Sequence, residues 1–394
     1  MARNFVYVGS WLDDAKENGG IHLYEQEEDT GRLRHVEDYA SEMSVGFFCI
    51  SPDKKYLYAV DEIKRKPDKI LCGGSVHAFS IDQGSGRLTH INSVPTAGIF
   101  PCYITIDSQG RYLFVANYGS EDVTINSEVD ENGRYFLRHK FDEASVAVIK
   151  ICGGGKLDGV IDLVTLNGVP SKAYEYFQSS PHPHSISISP SDEMVLVTDR
   201  GCDELLMYGF DSCSGKLKLL EVLKTRIGTG PRNAVFHPDI PCFYVASELM
   251  PYVTAYTYDS QTGKICELGC IATVPENKIP ENFDNFFEDA HPADICMHPD
   301  SRHLYVSNRG TDTIAVFKVS ETDGSLVPDG CTASGGAWPW TLRWSESGSF
   351  FYTGNKKTNN IVLFYLDSNT GGLKETGLSI GVERPVCIRT LMLL

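Results

Sequence analysis

The sequence contains no apolar run long enough to cross a membrane as a helix, and no Cys-x-x-Cys pair. The first absence argues against a helical membrane span. The second removes the usual thiolate spacing of structural zinc, so no metal is expected. The twelve cysteines are scattered through strand-like runs, with Cys266 and Cys270 the closest pair. Buried, reduced thiols are therefore expected rather than a disulfide framework, and with them a cytoplasmic location. Met1 to Phe5 lead straight into a strand-like run without an apolar signal core, which points the same way. Positive charge is also scarce: 35 Lys and Arg stand against 52 Asp and Glu, a formal net charge of −17. Nucleic acid and anionic membranes need a concentrated basic face, so neither is an expected partner. A small anionic ligand held by a few local arginines is compatible with that charge. Gly153-Gly154-Gly155 opens no helix and is no phosphate loop.

What is present is a repeat. Apolar content of 42% allows a substantial core, and 36 glycines suit many short strands and turns. In Ala234-Val235-Phe236 and Phe243-Tyr244-Val245, apolar residues recur as they do in pleated strands, with Pro238 in the turn between them. Equivalent turns occur at Pro52, Ser108, Pro190, Pro299 and Glu346. Each unit adds a third strand, such as Val146-Ala147-Val148-Ile149. A glycine turn, such as Ser214-Gly215 or Asp323-Gly324, then introduces a fourth. Six complete four-strand units result. The C-terminal Pro385-Val386-Cys387-Ile388 is a first strand without followers, and the N-terminus supplies those followers. The prediction is an all-β, seven-bladed β-propeller of four-stranded antiparallel blades, a single domain over residues 1–394, its last blade shared between the chain ends. Insertions at 119–145, 165–181 and 275–290 break the period. The last carries Asn282-Phe283-Asp284-Asn285-Phe286-Phe287, a lid, a partner surface or a loop packed on the rim.

Chemistry concentrates in two registers. Six residues before each turn reference stand Gly46, Cys102, His184, Arg232, Ala293 and Trp340. Ten residues after it stand Glu62, Tyr118, Arg200, Glu248, Arg309 and Lys356, with Trp11 the equivalent in the split unit. In an antiparallel hairpin the start of one strand and the end of the next share an edge. Both registers should therefore open on one mouth of the ring. Buried charges there must pair with each other or meet a ligand. One outcome is a ring of ion pairs between blades, such as Glu248 with Arg232; the other is a binding site. His182 and His184, at i and i+2, could share a face and hold a metal, although no third ligand is evident. His237 and His298, beside turn prolines, belong at the opposite end and shape turns.

The chain resembles the seven-bladed propeller lactonases, typified by the propeller-type 6-phosphogluconolactonases, with the fungal carboxymuconate-lactonising cyclases as relatives. The resemblance spans essentially the whole chain and is carried by Tyr7-Val8-Gly9-Ser10, Val115-Ala116-Asn117-Tyr118, Pro183-His184-Ser185, Gly230-Pro231-Arg232, and Ala293-Asp294-Ile295 followed by Tyr305-Val306-Ser307-Asn308-Arg309-Gly310. It implies active-site roles for His184, Arg232, Glu248 and Arg309. Two departures stand out. Asn233 follows Gly-Pro-Arg where the family commonly has His. Pro339-Trp340 stands where the phosphogluconolactonases often have Pro-Arg, removing one phosphate contact.

The expected activity is lactone hydrolysis without a cofactor, on a small anionic or polyhydroxy lactone. His184 is the expected general base, Arg232 and Arg309 the anion or oxyanion contacts, and Glu248 the orienting or proton-shuttling group. Arg200, Trp340, Lys356, Tyr118 and Glu62 would contact substrate. The alternatives are the reverse lactonisation of an unsaturated dicarboxylate, and a non-catalytic propeller that binds protein through its insertions.

Overall fold

In the second strand of most units the apolar pattern is continuous, because those strands are covered on both faces. Tyr112–Asn117 and Cys242–Ser247 are buried at every position. Outer strands such as Leu373–Gly381 alternate half-buried and exposed residues after a buried start. The computed structural model describes residues 2–12, 18–65, 73–280, 289–367 and 371–394. Among these, the strands form seven four-stranded antiparallel sheets and one two-stranded sheet. Innermost strands Phe48–Ile50, Pro101–Ile106, Pro183–Ile188, Pro231–Phe236, His291–Met297, Pro339–Trp344 and Pro385–Leu393 each pack on the next, closing a ring. The first blade is the shared one: Arg3–Ser10 pairs with Pro385–Leu393 on one side and Gly20–Gln26 on the other.

Neighbouring blades are stapled by a recurrent tyrosine. Tyr7, Tyr58, Tyr244 and Tyr305 lie in second strands and are buried. Their hydroxyls donate to the carbonyls of Gly86, Gly155, Gly324 and Gly371, each in the glycine turn of the following blade. Gly324 shows why glycine is needed there. Its φ is +77°, and a Cβ would lie 2.5 Å from Cys242 Sγ and 3.1 Å from the Tyr244 hydroxyl.

The 119–145 insertion forms the two-stranded sheet, Val123–Val129 paired with Tyr135–Phe141. The 165–181 insertion has no strand beyond Thr165. Of 275–290, residues 281–288, with the whole aromatic cluster, lie outside the described residues; Glu276–Lys278 forms one 3-10 turn. The described cysteines are all free, as expected of reduced thiols. Burial holds for only some of them: Cys152, Cys213, Cys266 and Cys331 are exposed, because they lie in turns and outer strands rather than between blades.

Candidate active site

Four of the side chains at the mouth are aimed by a backbone irregularity that strand alternation does not reveal. In the fourth blade Pro183 pairs with Asp199 and Ser185 with Thr198, so His184 has no opposite residue. Arg232, Trp340 and Cys102 occupy the same bulge in their blades. A bulge re-aims a side chain relative to the pleat. The preceding proline, with no N–H to offer the ladder, begins each of these strands at the same point. In the second blade Gly46 holds the equivalent register. A Cβ there would collide with Glu62 Oε2, so the missing side chain is the space into which the Glu62 carboxyl folds.

Glu248 is the electrostatic centre of the site. Arg309 Nη2 donates to its Oε1 at 2.6 Å and Arg200 Nη1 to its Oε2 at 3.2 Å. Arg232 Nε lies 3.6 Å from Oε1. Arg232 shares a blade with Glu248; the links between blades are made by Arg200 and Arg309. All four side chains are at least nine-tenths buried. Burial opposes ionisation of Glu248, but Arg309, Arg200 and Arg232 together hold its carboxyl well below the usual range. The guanidiniums have further anchors. Arg309 donates from Nε to His291 O at 3.1 Å, Arg232 donates to Ala293 O, and Arg200 Nη2 reaches Glu121 Oε1 at 3.0 Å. Trp340 lies over both Arg232 and Arg309, at 5.0 and 4.9 Å from the guanidinium carbons.

Above this cluster is a cavity of about 260 Å³, lined by residues including Trp11, Glu62, Tyr118, His184, Arg200, Arg232, Glu248 and Trp340. His184 is half-buried, and its Nδ1 has no hydrogen-bond partner among the described residues. Burial first, then Arg232, keep the imidazole pKa well below its ordinary value, so the ring is neutral at physiological pH. Tyr118 stands edge-on to it at 6.0 Å. Across the site Trp11 Nε1 donates to Glu62 Oε2 at 2.9 Å. Burial pushes the Glu62 carboxyl up to about 8, against the Trp11 hydrogen bond and the charge of Lys356. Lys356 Nζ sits 4.0 Å from the Trp11 ring and 4.4 Å from Trp340, and burial, then Arg309, draw its pKa down to about 7.

All nine residues singled out in the sequence therefore converge. Glu62, Tyr118, His184, Arg200, Arg232, Glu248 and Trp340 line the cavity; Arg309 and Lys356 stand behind them, one on Glu248 and the other on the tryptophans. His182 is separate. It is buried, stacked on Tyr118 at 4.5 Å, with Nδ1 3.1 Å from Tyr118 O. His237 and His298 cap turns, each accepting backbone N–H groups at Nδ1. Glu121 was not foreseen. It bonds Tyr118 Oη at 2.7 Å and Arg200, yet it lies in an insertion with no repeat register to mark it. Phe177, from the second insertion, likewise lies under Arg200 at 5.2 Å. Asp294, marked in the sequence only as part of the motif Ala293-Asp294-Ile295 and given no site role, also lines the cavity and accepts from Asn233 Nδ2 at 3.1 Å.

A closed ring of seven blades with one charged, aromatic-walled cavity at its mouth defines a propeller built to hold a small polar molecule. The family model described as "Lactonase, 7-bladed beta-propeller" matches residues 5–128 and 125–390, and the chain belongs to that family. Among its relatives is the 6-phosphogluconolactonase of Bacillus subtilis, 27% identical over 391 residues, covering 99% of each chain. Among solved structures, a protein from Lactobacillus plantarum superposes with a TM-score of 0.80 at 26% identity, over 99% of each chain. The periplasmic gluconolactonase of Pseudomonas aeruginosa shares the fold, with a TM-score of 0.82 at 24% identity over the full length of both. No helix among the described residues is long and apolar enough to cross a membrane.

Proposed function

We propose that the chain hydrolyses a sugar-acid lactone, as its 6-phosphogluconolactonase relatives are named for doing, with residues 1–394 acting as one domain in the cytoplasm. The observation that carries this reading is His184: a neutral imidazole on the cavity wall, unpartnered at Nδ1, in the field of Arg232.

His184 takes a proton from water while the hydroxyl adds to the lactone carbonyl carbon. Arg232 faces the developing oxyanion or an anionic substituent, and Arg200 provides a second guanidinium on the same cavity. The ring C–O bond then breaks, and the imidazolium returns its proton to the departing ring oxygen, giving the hydroxy acid. Glu248 is a poor proton carrier because three arginines stabilise its ionised form. It serves by fixing those guanidiniums, and Arg309 acts through it. An anionic substrate helps twice: negative charge on Arg232 also cancels part of the repulsion that weakens His184 as a base. Tyr118 and Trp340 offer flat apolar faces to the substrate, and Glu62, protonated at neutral pH, offers a donor. Lys356 supports the tryptophan wall. The route needs no cofactor.

Titrating acid release in a pH-stat from phosphorylated, carboxylated and neutral sugar lactones tests the reading. Enzyme-dependent opening of at least one, slowed at least tenfold by His184→Ala, is expected; no opening of any of them would reject it. The two guanidiniums on the cavity would equally suit the two carboxylates of an unsaturated dicarboxylate. Lactonisation of a muconate is therefore the second reaction to assay.

A further inference from the structure

The hairpin of the third blade is amphipathic in a way no core demands. Val123 opposes Phe141, Ile125 opposes His139, Ser127 opposes Leu137 and Val129 opposes Tyr135, so these eight share one face. Val123, Ile125, Val129, Tyr135 and Leu137 are all exposed, Tyr135 by 82% and Leu137 by 63%. The opposite face carries Thr124, Asn126 and Glu128 against Lys140, Arg138 and Phe136. There Arg138 Nε bonds Glu128 Oε2 at 2.7 Å. The root is fixed: Lys64 Nζ bridges Asp122 at 3.0 Å and Asp142 at 2.5 Å, and Ser120 Oγ also donates to Asp142. An isolated two-stranded sheet is marginal in water, and an uncovered apolar face makes it more so.

We propose that a second copy of the chain docks on this face, hairpin against hairpin, about a two-fold axis. Charge is the first argument. The chain carries −17, so two copies repel over most of their surfaces. Residues 123–141 oppose this less, being locally neutral: Glu128, Asp130 and Glu131 are balanced by Arg134, Arg138 and Lys140. Area is the second. The exposed apolar side chains offer on the order of 500 Å², in the range of the largest apolar patch on a monomer, which is often functional. Two such faces with their polar rims approach the ~1,200 Å² at the lower end of stable interfaces. A two-fold axis lets one patch serve as its own partner and closes the assembly at two. Docking would also brace the site, because the root of the hairpin carries Glu121 onto Arg200.

Sedimentation velocity of the full chain over a range of concentrations tests this. The native chain should sediment as a dimer. Tyr135→Glu combined with Leu137→Glu should weaken dimerisation at least tenfold with an unchanged circular dichroism spectrum. Thr124→Glu, on the polar face, should leave the dimer intact. A native chain that stays monomeric would overturn the proposal, whether a different protein or a lipid surface covers the face instead. So would an open-ended oligomer, or a dimer indifferent to the double substitution.

Discussion

Arg309 Nη2 lies 2.6 Å from Oε1 of Glu248, joining the ends of the second strands of two adjacent blades. The contact is both a seam of the ring and the floor of the cavity. Removing one partner of such a buried pair leaves charge without compensation.

Glu248→Gln should therefore destabilise the fold by about 3–5 kcal/mol, read by denaturant unfolding at neutral pH. The pH dependence has a definite sign. The folded carboxyl titrates well below its unfolded value, so its stabilisation is present above the unfolded pKa. That stabilisation is lost as pH falls through the folded one. The native chain should weaken on the acid side, and the Gln variant should lose that part of the slope. A variant as stable as the native chain would show that the guanidiniums do not depend on the carboxylate.

His184→Ala should lower kcat at least tenfold on the best lactone found, within the range general-base catalysis contributes. His184→Gln, which keeps bulk and polarity, should not restore it. Because Arg232 depresses the imidazole pKa, Arg232→Gln should move the acidic limb of the pH–rate profile upward while raising KM. An acidic limb that stays in place would uncouple the two residues.

Glu62 makes the opposite pH prediction. Its folded pKa of about 8 lies above the unfolded value. Between those two values the unfolded chain has already released the proton that the folded chain keeps, so stability falls as pH rises. Glu62→Gln should be close to neutral for stability at acid pH and stabilising above pH 8. Thermal unfolding at both ends of that range measures it; an equal effect at the two ends would contradict the raised pKa.

Tyr244→Phe removes the hydroxyl that donates to Gly324 O at 2.8 Å and leaves that acceptor uncompensated. A loss of about 1 kcal/mol in chemical denaturation is expected, with lactone turnover unchanged. A loss of turnover as large as that from His184→Ala would mean the staple shapes the site as well as the ring.

The seven-fold repeat, the shared closing blade and the two registers at the mouth were legible in the chain. Strand alternation, turn residues and the proline before each inner strand are local, and the repetition made a weak signal strong. The same repetition concealed what breaks it. Glu121 meets Arg200 across 79 residues, from an insertion with no counterpart in other blades. Trp11, Glu62 and Gly46 all sit on the registers, yet nothing local showed that Trp11 would meet Glu62 across 51 residues in the space Gly46 leaves. Sequence alone placed charges of both signs around one opening. Only the closed ring decided that Glu248 is locked to Arg200 and Arg309 from the blades on either side as well as to Arg232 from its own, because those contacts span 48 and 61 residues of chain, while His184, aimed by its bulge, is left unpartnered at Nδ1 among the described residues.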